Sequence, residues 1–329
     1  MKKWQLILGL TVLMLVCGWQ RASYAAKATE ITFAIHTPPG TVENQALQMF
    51  KDKVEAGTNG EIVVKLFPGA ALGGEKDNIE QIKTGVIQMS IFGDMLTSVY
   101  APEYDPTVVP FVFPDLESVY EYWSGDLGDK IKLALEQRGN IVLIGLHTRG
   151  PRNLTANKEV KTPGDLKGLK IRVAEIPSWV TVWKSMSALP TPIAWPEVYT
   201  ALQLGVVDAQ ENPYENIYSA KLYEVQKYLV KTEHLFNLFH VVVNKEFISN
   251  LKSDHRQVLL NSMDEAMKWG NAQMETRDKE LEQKLTELGM KIVEVDKEAF
   301  RRAALPGLKE VAKGWAPEVW DSVKGYLGE

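Results

Sequence analysis

Three arginines, a tryptophan and an asparagine carry the clearest chemistry in this 329-residue chain. Arg149 and Arg152 lie in "RGPRN", a breaker-rich stretch that reads as a turn closing the strand "NIVLIGLHT", and Arg172 lies in "LKIRV". In that second stretch Leu169, Ile171 and Val173 alternate on one face of a strand, while Lys170 and Arg172 point the other way. A strand with one buried face can leave the other wet, so Arg172 either meets solvent or lines a cleft. Trp195 stands just before a helix start, where Pro196 suits the first turn. Asn212 follows a strand and precedes Pro213, as turn asparagines do. Singly these are ordinary surface, core and turn residues. Together they supply what a carboxylate site needs: a guanidinium fork for two-point contact, an aromatic wall and a neutral amide.

Other chemistry is sparse. His234 and His240 flank "LFNLF" at a spacing of six, which fits neither a helical zinc pair nor a close strand pair. The chain has no GxSxG, no P-loop and no GxGxxG opening a helix. No metal or cofactor is expected. "LGGEKD" is a tight turn ahead of a helix; its exposed N–H groups suit an anion, and a plain turn explains it as well. Glu75 paired with Glu175 or Glu211 would serve an exported enzyme acting on acidic sugars, if the two pKa values were driven apart. Nothing in the spacing requires that.

The elements that must position these residues read as two α/β blocks. "EITFAIH" and "EIVVKLF" alternate as short strands around a segment with Val42, Ala46, Met49, Phe50 and Val54 at helical spacing, stopped by Gly57 and Gly60. "EKDNIEQIKTG" and "VIQMSIFG" add a helix and a third strand, so the N-terminal part is a parallel layer. A second block holds "LKIRV", "PTPIAW", "VVDAQEN" and "FHVVVN". One helical run from Ser253 to about Gly289 is long enough to bridge two lobes, and "MKIVEV" with further helices completes the chain. Small ligands bind between such lobes and at the carboxyl ends of parallel strands.

"MKK", an apolar run and "QRASYAA" make a secretory signal, with Ser23 and Ala25 at the −3 and −1 positions and the cut after Ala25. A membrane anchor or a lipoprotein cut at Cys17 are the competing readings of this segment. Cys17 is the chain's one cysteine, so an exported mature chain has no disulfide and relies on its core. At this length a core buries roughly three quarters of the unfolded surface. The signal holds three basic residues and no acid, and removing it takes the formal charge from −5 to about −8. A mildly acidic surface argues against nucleic acid or an anionic membrane as partner.

The run "TPGDLKGLKIRVAE", then "PTPIAWPEVYTALQLGVVDAQENP" and "AKLYEVQKYLVKTEH", resembles the substrate-binding proteins of tripartite ATP-independent periplasmic (TRAP) transporters, with similarity from about Ile31 to about Gly289. The resemblance implies a periplasmic-binding-protein fold, type II-like: two α/β lobes crossed by one long helix and closing on the ligand by hinge bending. It implies a signal peptide at 1–25, a first lobe of 26–149 with 238–277, and a second of 150–237 with 278–329. It also implies a periplasmic, non-enzymatic receptor that hands a small carboxylate to membrane subunits, or serves as a sensor, as a monomer or a homodimer. Arg172 falls where the family arginine bridges the carboxylate and Arg152 where a second arginine helps. Trp195 falls at the packing aromatic, Asn212 at a carboxylate-binding asparagine and Glu75 at a first-lobe contact. His36, Gly93 and Leu96 replace polar contacts of sialic acid binders, and Glu175 replaces an asparagine there. "GEKDNIEQ" and Trp179 resemble members that take sugar acids such as uronates; other hydroxy, keto or dicarboxylic acids stay open.

Overall fold

A computed structural model describes residues 27–328; the signal segment falls outside these residues. The chain begins with β1 (Thr29–Ile35), α1 (Val42–Gly57), β2 (Ile62–Phe67), α2 (Glu75–Lys83), β3 (Met89–Phe92), α3 (Met95–Tyr100), α4 (Leu116–Ser124), α5 (Asp126–Gly139) and β4 (Ile141–Ala156). It continues through β5 (Lys170–Val173), α6 (Pro177–Ser185), β6 (Leu189–Pro192), α7 (Val198–Gln203), β7 (Ala209–Pro213), α8 (Tyr214–Ser219) and β8 (Tyr228–Asn244). It ends with α9 (Lys245–Asn250), α10 (Ser253–Glu287), β9 (Lys291–Val293), α11 (Lys297–Ala312) and α12 (Pro317–Val323). Among the described residues no helix is long and apolar enough to cross a membrane.

The strands form one path, β2-β1-β3-β8-β4-β7-β5-β6, with β9 added on β8. β1 runs parallel to β2 and β3, and β5 parallel to β6 and β7. The two parallel blocks are the two lobes, and the antiparallel pair β4–β8 belongs to both. β3 pairs with residues 240–243 of β8, whereas β9 pairs with its 228–230 end. Period-two burial explains the first block: Ile31, Phe33 and Ile35 of β1 are buried with Ala46, Leu47 and Phe50 of α1 and with Met263 and Met267 of α10. Helix α10, 35 residues long, packs on α1 of the first lobe and, further along, on α8 of the second. Leu281 and Leu285 near its end are buried with Val198 and Ile217 of the second lobe. The tail closes over both lobes. Helix α11 packs on α6, while Ala316 N–H donates to Glu103 O (2.9 Å) and Lys130 of α5 bridges Glu318.

"RGPRN" does not end a strand. β4 runs through it with one extra residue: Thr148 faces Leu238 of β8 and Pro151 faces Phe236, so three steps on β4 match two on its neighbour. This is a β-bulge, and Gly150 supplies its left-handed residue at φ +73°. Gly and Pro act here as bulge residues rather than as a stop. Upstream of the bulge β4 is a sheet edge, because β7 pairs only from Arg152 onward. Asn271 of α10 covers that edge, accepting from Thr148 N–H (2.8 Å) and donating to Leu146 O (3.2 Å).

Candidate functional site

The bulge has a direct consequence for the site. Residues three apart on a regular strand point to opposite faces, so Arg149 and Arg152 would be separated by the sheet. One inserted residue restores the phase, and both side chains line the same cavity. Arg172 enters from β5. Its strand neighbours Ile171 and Val173 are buried, Lys170 is exposed, and Arg172 itself is only 4 % exposed and faces the cavity. The alternation of "LKIRV" therefore resolves in favour of a cleft.

The three guanidinium groups differ in what holds them. Arg152 is gripped by Glu211, with Nε donating to Oε2 (2.6 Å) and Nη2 to Oε1 (2.9 Å), and Nη2 also reaches Asn212 Oδ1 (3.1 Å). Burial alone would push the Glu211 carboxyl up; Arg152 and His234 overcome it and hold the group down at about 2. His234 sits in a short relay in which Thr232 Oγ1 meets Nδ1 (2.8 Å) and Nε2 meets Glu211 (3.1 Å). With Glu211 ionised, the carboxylate can only accept, so Nε2 carries the proton and Thr232 donates to Nδ1. Arg149 lies 3.4 Å from Asp94 and stacks over Phe239 at 4.0 Å.

Arg172 has no such partner. Its Nε donates to Ile193 O (2.9 Å), and among the described residues no carboxylate lies within ion-pair distance of it. Burial lowers its pKa to about 10 against the opposing pull of Glu211, and Arg152 repels it further. It is still a cation at neutral pH. Burying a charge without a partner is costly, and a bound anion relieves that cost.

The other expected residues line the arginine cavity or an adjoining outer compartment, and Glu75 and Trp195 border both. His36 and Glu75 line the arginine cavity, with His36 Nδ1 donating to Ile91 O (3.2 Å) and standing 3.9 Å from Glu75. Trp195 is half-buried, with the Arg172 guanidinium 5.8 Å from its ring centre. Asn212 also lines the cavity, but inside β7 rather than after it, and its amide N–H donates to Gln210 (2.6 Å). Glu175 is exposed and lines an adjoining outer compartment with Lys76, Glu197 and Trp195. Leu96 is fully buried in the hydrophobic core; the helix turn that sends Met95 into the cavity turns Leu96 away.

Over residues 33–314 the sequence matches the family model of bacterial extracellular solute-binding proteins, family 7. The chain belongs to this family. A solute-binding protein of Roseobacter denitrificans is 34 % identical over 88 % of this chain and 89 % of its own. A TRAP periplasmic solute-binding protein of Roseobacter denitrificans, solved with bound L-galactonate, superposes with a TM-score of 0.83 over 91 % of this chain and 98 % of its own, at 31 % identity. The 2,3-diketo-L-gulonate-binding periplasmic protein of Escherichia coli is 31 % identical over 88 % of each chain. A TRAP solute-binding protein from a Sulfitobacter species, solved with β-D-galacturonate, superposes at 0.85 over 92 % of this chain and all of its own, at 26 % identity.

Within this solute-binding protein the sequence left some lining residues unassigned. Asp94, Met95 and Asn216 line the arginine cavity, beside Trp179, which the resemblance ties to sugar-acid binders. Trp179 is buried, donates its indole N–H to Val108 O (2.6 Å) and lies under the Arg152 guanidinium at 4.8 Å. Asp94 carried a usable signal, because it follows β3 at the carboxyl end of a parallel strand. Gly93 is required by close approach: a Cβ there would stand 2.7 Å from Arg149 Nη1 and 3.3 Å from Glu75 Oε1. Gly93→Ala is expected to displace the Arg149 guanidinium and lower ligand affinity by about tenfold, with a small change in melting temperature. Titration calorimetry with thermal unfolding of the same variant checks this.

Proposed function

We propose that this family member works in the periplasm as the receptor of a TRAP transporter, capturing a small sugar acid and delivering it to the membrane subunits. The observation that carries the reading is the buried, carboxylate-free Arg172 in a cavity where Arg152 is already neutralised by Glu211 and Arg149 faces Asp94. One unmatched cation calls for one carboxylate. The relatives solved with L-galactonate and galacturonate carry one such group and several hydroxyls, and the remaining walls here are rich in groups that pair with hydroxyls. An acid–base pair for turnover finds little support: Glu211 is salt-bridged, buried and held ionised, and Glu175, which shares the outer compartment with Glu75, is solvent-exposed.

Capture proceeds by closing residues 26–149 with 238–277 onto 150–237 with 278–329, bending where β4 and β8 pass between them, with the tail's contacts to Glu103 and Lys130 shifting in the same movement. Ligand contacts from both sides favour the closed arrangement, and that differential affinity drives the shift. Native mass spectrometry of freshly purified protein is expected to show one bound sugar acid per chain, identified after denaturation. Small-angle scattering should show compaction when that acid is restored to ligand-free protein. A profile unchanged at saturation counts against closure, and release of a ligand without a carboxylate counts against the site.

A further inference from the structure

Asp94 is 3 % exposed and lines the arginine cavity from the first lobe. Its two oxygens are treated unequally. Oδ2 accepts from Asn237 Nδ2 (2.6 Å) and from Arg149 Nη1 (3.4 Å), while Oδ1 is buried with no hydrogen-bond partner. Arg149 Nε, on the same pair, also lacks a partner. A buried carboxyl oxygen left without a partner is costly, and at the wall of a ligand cavity a donor from the bound molecule can supply the missing bond. Burial pushes the carboxyl above the usual carboxylate range despite the pull of Arg149 and Arg152, and a donor from the ligand would favour its ionised form.

We propose that Asp94 determines specificity: a hydroxyl of the bound acid donates to Asp94 Oδ1 while Arg172 holds the carboxylate. This rests on the sugar-acid reading above and sharpens it. A carboxylate accepts only, so it selects a donor. Glu75 lines the same cavity, so the first-lobe wall carries two acidic side chains opposite the arginines. That wall favours a polyhydroxy monocarboxylate and repels a second carboxylate.

The test crosses a ligand change with a protein change. L-galactonate and each of its monodeoxy derivatives are titrated calorimetrically into wild type and Asp94→Ala. Wild type should bind at least one derivative about 10- to 100-fold more weakly than the parent, because the site leaves a buried acceptor unpaired. In Asp94→Ala that same ratio should collapse to within about threefold. Should the single variant not fold, Asp94→Ala combined with Arg149→Met removes both charges together and carries the same comparison. A ratio unchanged for every derivative overturns the role of Asp94 and leaves the receptor reading intact. Failure of wild type to bind any of these acids, together with release of a ligand that is no sugar acid in native mass spectrometry, overturns the sugar-acid reading and this inference with it.

Discussion

Replacing Arg172 with alanine is expected to cost at least about a hundredfold in affinity for the bound acid while leaving the ligand-free protein no less stable. The two halves of this expectation come from one fact. With no acid bound the guanidinium meets a carbonyl and no carboxylate, so its removal breaks no ion pair of the protein itself. In the complex the same change leaves the ligand carboxylate buried without its cation, a loss of about 3–5 kcal/mol, and each ~1.4 kcal/mol is tenfold. Arg172→Lys should recover only part of the affinity, since an ammonium cannot offer two parallel N–H donors. Calorimetry with the natural ligand and thermal unfolding without it are the paired measurements. An alanine variant that binds like wild type would remove the basis of the site. A variant that loses binding and also melts early would mean Arg172 is a structural residue.

Much of this arrangement is legible in the sequence because it depends on period. The two-residue alternation of "LKIRV" separates Arg172 from the core, and the helical spacing after Ser253 runs long enough to name the crossing helix. The first block reads correctly as parallel, since its apolar runs are short and separated by a helix. What stays hidden is set by context. "GP" between two arginines signals a turn and a bulge alike, and pairing with β8 decides between them. β8 itself is 17 residues long, yet only "FHVVVN" reads as strand, because Lys231, Glu233 and His234 interrupt the apolar pattern where the strand enters the second lobe. Lys231 bridges Glu282 and Glu294, and His234 is absorbed by Glu211; such partners, distant in sequence, cannot be read locally. Leu96 and Met95 differ by one step on a short helix, and that rotation decides which one lines the cavity.

Gly150→Ala is the change with the largest expected effect on the scaffold, and it links the fold to the site. Gly150 holds φ at +73°, where a Cβ adds a backbone penalty of about 1 kcal/mol. The added atom would also stand 2.4 Å from Asp278 Oδ2 on α10. Asp278 is half-buried and its Oδ1 is enclosed without a hydrogen-bond partner, so the carboxyl group must turn to admit the new atom. Its carboxyl is pushed up to about 7 by burial and by Glu215 and Glu233, against the opposing pull of Arg277. Overpacking of this kind costs about 1–3 kcal/mol. The sum, about 2–4 kcal/mol, should lower the melting temperature by several degrees. If the chain instead relaxes by losing the bulge, β4 slips by one residue and Arg149 leaves the face it shares with Arg152, so affinity falls too. Asp278→Ala separates the two causes: combined with Gly150→Ala it should recover the share due to collision and leave the backbone share, while affinity returns only if the bulge survives. Equal stability of the glycine and alanine proteins would show that the bulge does not hold this geometry, and the shared facing of Arg149 and Arg152 would then need another cause.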